Sequence, residues 1–133
     1  MLIEIPVAVA ELFDKISILQ IKLDLLEDPD RRAHAQIELD KLMTIVCEHK
    51  LQAFLGQDLY QQLRVTNQQL WDVCEQRREC EQAGRFDQEF IEQSRLEYKT
   101  NDRRASIKQK INQQFDSAIV EVKSYARLSH ELD

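Results

Sequence analysis

Four residues punctuate this chain: Pro6, Pro29, Gly56 and Gly84 are its only prolines and glycines. The segments between them are rich in Leu, Gln, Glu, Lys and Arg, all good helix formers. With so few breakers, long uninterrupted helices are the fold class open to it.

The segments can be taken in order. "LIEIPV" sets Ile3 and Ile5 around Glu4 and predicts a short strand, ended by Pro6, whose fixed φ and missing N–H oppose continuation. A helix is expected over 8–26, stopped by "EDPD". Asp28 or Asp30 can cap a second helix over 29–51, with Pro29 tolerated in its first turn. "AFLGQD" reads as a loop. A third helix is expected over 58–83, with Gly84 as the residue that ends it. "GRFD" turns the chain into a fourth helix over 87–115. "AIVEVKSY" alternates and is rich in β-branched residues, which predicts a second strand, with "RLSHELD" frayed or helical after it. Two terminal strands can pair only with each other. The expected architecture is a single, mainly α domain over 1–133: an antiparallel four-helix bundle with a small two-stranded β ribbon made by the N- and C-terminal segments.

Helical projection at about 100° per residue assigns the faces. On the first helix Leu12, Ile16, Leu19, Leu23 and Leu26 form one apolar face and Ile18, Ile21 and Leu25 a second, so both sides should be covered. Glu11, Lys15 and Lys22 share an exposed edge, whereas Asp14 falls beside Ile21 and Leu25. On the third helix, Asn67 lies within a seam of Leu59, Leu63, Thr66, Leu70 and Val73, flanked by Tyr60, Trp71 and Cys74. On the fourth, Leu96, Ile107, Ile111 and Phe115 make the apolar arc. Beside it runs a ridge of Tyr98, Asn101, Ala105, Lys108 and Asn112, with Arg104 at its border.

Several function classes are disfavoured. A net charge of −6 argues against general nucleic-acid binding, which needs a basic field; only a local patch of Arg103, Arg104, Lys108 and Lys110 could support it. No apolar run approaches the roughly 20 residues that span a bilayer, and the N-terminal segment lacks the pattern of a signal peptide, so no membrane insertion and a cytoplasmic location are expected. Cys47, Cys74 and Cys80 are odd in number and suit a reducing compartment. His34, His49 and His130 are scattered, no His or Cys pair has metal-ligand spacing, and no glycine-rich phosphate loop is present, so neither metal nor cofactor is implied. Ser17 and Ser94 have no activating context.

What remains is a polar stripe next to the core. A buried polar group without a partner costs about 1–3 kcal/mol, and an unpaired charge more. Asp14, Asn67, Asn101 and Lys108 must therefore pair internally or meet a ligand. In the first case Asp14 takes Arg104, Lys108 or Arg77, and the amides fix helix register. In the second, Asp14, Asn67, Trp71, Tyr98, Asn101, Arg104, Lys108 and Asn112 line a cleft for an anionic small molecule, a carboxylate or phosphate. Trp71 and Tyr98 would be its flat walls. Such a cleft could support a cofactor-free rearrangement of the chorismate-mutase kind.

"IPVAVAELFDKISILQIK", "NQQLWDV", "YKTNDRRASIKQKIN" and "AIVEVKSY" together resemble an uncharacterised family of small bacterial proteins, a domain of unknown function. Its pattern has a Val-Pro-Val start, a Glu-Leu-x-Asp-Lys-Ile helix and an Asn-Asp-Arg-Arg-Ala-x-x-Lys segment. The resemblance spans nearly the whole chain. Its matches fall on Glu11, Asp14 and Lys15; Asn67, Trp71 and Asp72; Tyr98, Asn101, Asp102, Arg103, Arg104 and Lys108; and Asn112, Lys123 and Tyr125. It implies a link to cell-surface polysaccharide pathways and no established catalytic residue. Ala8 and Ala10 stand where Ser and Gly are expected, and Cys74 and Arg77 where an acid and an aliphatic residue are expected. An acidic site on the third helix, if the family has one, would be incomplete here. The leading expectation is a non-enzymatic helical adaptor or regulator acting as a homo-oligomer or with a protein partner. The alternative is a binding protein or enzyme for an anionic metabolite or sugar nucleotide.

Overall fold

The computed structural model describes residues 1–117, among which are four α-helices: α1 (Val9–Leu25), α2 (Pro29–Glu48), α3 (Asp58–Gln82) and α4 (Gln88–Gln114). Asp28 caps α2 by accepting from the Asp30 N–H at 2.9 Å, with Pro29 at the first helical position, where its missing N–H costs nothing. Asp87 caps α4 by accepting from the Phe90 N–H at 3.3 Å. α3 ends as expected at Gly84, whose φ is +65°. The Arg85 N–H donates to the Cys80 carbonyl at 2.9 Å and the Gly84 N–H to that of Glu81 at 3.1 Å, satisfying two carbonyls of the last turn.

The end of α2 departs from expectation. It stops at Glu48 because Lys50 takes φ +57° and closes the same pair of terminal bonds, Leu51 N–H to Val46 O and Lys50 N–H to Cys47 O. A lysine gives no warning of a left-handed residue. The expected loop is a 3-10 turn, Gln52–Gly56, that drives Phe54 into the core.

α1 is the central element and packs against α2, α3 and α4. Leu12, Phe13, Ile16, Leu19 and Ile21 are all buried, whereas Leu25 at its end is exposed. The core centres on Phe13, whose ring lies 4.5 Å from that of Phe54 and about 6 Å from those of Tyr60 and Phe115. Three helix pairs are antiparallel. In α1/α2, Lys15 meets Glu38 while Arg32 donates to the carbonyls of Leu23 and Leu26. In α3/α4, Gln69 meets Arg103 and Arg77 meets Glu97. In α1/α4, Ala10 meets Asn112 and Glu11 meets Lys108. The second half of α1 leaves α4 and runs to the start of α3, where Gln20 accepts from Tyr60 Oη at 2.7 Å and Asp24 faces Arg64.

The β ribbon is not supported. Residues 1–8 form no regular element, and there is no strand among the described residues. A strand needs a ladder partner for its N–H and C=O groups, and a two-stranded ribbon is marginal even with one. Leu2, Ile3 and Ile5 are well exposed. The other expected strand, 118–125, and the "RLSHELD" segment lie outside the described residues. No helix is long and apolar enough to cross a membrane among those residues.

Candidate functional site: a buried polar cluster on α1, α3 and α4

Asp14 is 2% exposed on a helix packed on several sides, so its carboxylate must be satisfied by neighbouring side chains. Arg104 of α4 grips it with both arms of the guanidinium: Nε donates to Oδ1 at 3.0 Å and Nη2 to Oδ2. Asn67 of α3 spends both amide hydrogens here, on Asp14 Oδ1 at 2.9 Å and on Ser17 Oγ at 2.6 Å. Ser17 in turn donates to the Asp14 carbonyl at 2.8 Å.

A second cation flanks the pair. Lys108 Nζ sits 3.9 Å from Asp14 Oδ2 and is paired with Glu11. Glu11 keeps 40% of its side chain exposed, so the expected edge borders the cluster. Arg104 Nη1 also reaches Asn101 Oδ1 at 3.5 Å. Among the described residues two carboxylates face two cations here, and their bonds tie three helices to one register. One polar atom is left over: Asn67 Oδ1 is buried with no hydrogen-bond partner.

The structure therefore gathers Asp14, Asn67, Asn101, Arg104 and Lys108, and separates the other three candidates from them. Asn112 is 6% exposed, and its Oδ1 accepts from the Ala10 N–H at 2.9 Å. With Ser117 Oγ accepting from the Val9 N–H at 3.2 Å, it closes the start of α1, where Ala8 offers no side-chain cap. Tyr98 is 51% exposed. Trp71 lies in an open groove of about 390 Å³ between α1, α2 and α3. The alternative partner for Asp14, Arg77, pairs instead with Glu97, its guanidinium 5.4 Å above the Phe90 ring. Cys74 Sγ approaches the same Glu97 carboxylate at 3.9 Å.

Sequence reasoning weighed Ser17 only as a nucleophile and left it out of the polar stripe, although its place three residues after Asp14 puts both on one helix face. Burial also shapes the titration of Tyr60, raising its phenol to about 12 despite the opposing charge of Arg64.

These features define a class: a mainly helical protein whose ionic side chains are turned inward to join helices. Within that class the chain belongs to a family of unknown function, DUF6165, which matches residues 1–130. No curated protein and no solved structure gives a match.

Proposed function

We propose that the chain is a non-enzymatic helical interaction protein that self-associates and acts as an adaptor or regulator. The supporting observation is the row of exposed apolar side chains ahead of α1: Leu2 is 77%, Ile3 77%, Ile5 68% and Val7 49% exposed. Apolar side chains grouped in this way favour burial against another molecule. The polar cluster agrees with this reading, because Asp14, Glu11, Arg104 and Lys108 are engaged with one another. A cytoplasmic, bacterial setting tied to cell-surface polysaccharide belongs to the same proposal and rests on the family pattern. Sedimentation over a wide concentration range tests self-association: the sedimentation coefficient is expected to rise with concentration, and a strict monomer throughout refutes it.

One observation favours a second reading, a binding site or cofactor-free enzyme for an anionic metabolite or sugar nucleotide. The unpartnered Asn67 Oδ1 would accept from a ligand hydroxyl, beside the cations Arg104 and Lys108. Thermal-shift titration with sugar nucleotides tests it. A rise in melting temperature that disappears in Lys108→Ala supports this reading, and no rise with any of them rejects it.

A further inference from the structure

We propose that the far end of the α3/α4 hairpin, residues 74–99, opens as a unit of its own while α1, α2 and the rest of the bundle stay folded. This device is independent of the self-association proposed above.

The two ends of the hairpin are held differently. At the near end Asn67, Arg104, Ile107 and Ile111 pack around α1, next to the fully buried Phe13, Ile16 and Leu63. Val73 and Thr100, 4% and 1% exposed, mark the limit of that support. Between 74 and 99 Cys80 alone is buried among the described residues. The side-chain hydrogen bonds, ion pairs and ring contacts that this stretch makes among those residues all stay within it. Those that join its two arms are polar: Cys74 and Arg77 meet Glu97, and the Arg77 guanidinium lies over Phe90.

The joint is also incomplete. Arg77 Nε and Gln93 Oε1 are buried there without a hydrogen-bond partner. Both find water once the arms part, which favours the open arrangement. Neither arm persists by itself, because 74–82 and 88–99 are at or below the roughly 12–15 residues that an isolated helix needs in water. Apolar burial is the main force holding helices together, and little of it acts here. Opening this stretch therefore costs much less than unfolding the base, whose aromatic core and buried ion pair remain in place.

Hydrogen exchange of the full chain, read by peptide mass spectrometry in urea below the unfolding midpoint, tests the proposal. Protection factors over 76–82 and 92–98 are expected to agree with each other and to lie at least about 100-fold below those over 13–21 and 104–111. Glu97→Ala removes the partner of Arg77 and is expected to lower the first set about fivefold while leaving the second unchanged. Asp14→Ala is expected to lower the second set about 100-fold and to leave the first unchanged. Should Asp14→Ala not fold, the wild type and Glu97→Ala decide. Equal protection throughout α3 and α4 overturns the proposal. So does protection that declines gradually toward Gly84, which is fraying from the turn and not the opening of a unit, or an equal change in both sets on replacing Glu97 or Asp14.

Discussion

Replacing Asp14 by alanine removes the acceptor on which three helices converge. The loss can be worked from its contacts: two charge-assisted bonds to Arg104 and one from Asn67 disappear. Removing one partner of a buried ion pair costs about 3–5 kcal/mol. Two features hold the value near the lower end, about 3 kcal/mol. The Arg104 side chain is 24% exposed and retains its contact to Asn101, and Lys108 retains Glu11. Urea unfolding followed by circular dichroism measures it. With a slope of about 1.5 kcal/mol per molar urea, the midpoint should fall by about 2 M. The mechanism makes a second demand. Once Asp14 is gone, removing Arg104 as well should cost little, so the double variant should be more stable than the sum of the single losses implies by about 2 kcal/mol. A loss below about 1 kcal/mol, or simple additivity, would refute the buried-pair reasoning.

Asn112→Ala leaves the buried Ala10 N–H without its acceptor and should cost about 1–2 kcal/mol in the same assay, with Asn112→Asp recovering part of it. Gly84→Ala should cost about 1 kcal/mol through backbone strain alone, because φ is +65° and an added Cβ would meet nothing within 4 Å. The Tyr60 phenol should titrate near 12 by ultraviolet difference absorbance, against the ordinary 10.0. The raised value means the folded state holds its proton longer than the unfolded state. The stabilising contribution is therefore complete below pH 10 and is lost as pH rises through 10 toward 12. A phenol titrating at 10 in the folded protein contradicts the burial of Tyr60.

The four helices were legible because scarce breakers and a 3.6-residue period act locally, and the period also set Asp14 on a covered face; it left Arg104, Lys108 and Arg77 open as partners, and only the packing of α4 on α1 selects Arg104 and Lys108. Tertiary geometry hid the rest. Leu96 and Tyr98 have the right period to face a neighbour, but α1 turns away past Asp14 toward Tyr60 and Arg64, leaving both exposed. Trp71 follows Asn67 by one turn, yet it meets the groove beside α2 and not the ion pair. Phe13, fully buried, falls between the two apolar faces assigned to α1, and its partner Phe54 comes from a stretch read as loop. The expected N-terminal strand shows the limit of alternation: it indicates which side chains share a side, not whether a hydrogen-bonding edge is available.

The beginning of α1 is closed by Asn112, 102 positions further along the chain. During synthesis at about 5–20 residues per second, some 5–20 s pass between the emergence of Ala10 and that of the side chain that completes its turn. For that interval the nascent polypeptide carries a helix start without its closing acceptor, next to the apolar Leu2, Ile3 and Ile5. Maturation of the amino-terminal end is thereby deferred until almost all of α4 has left the ribosome.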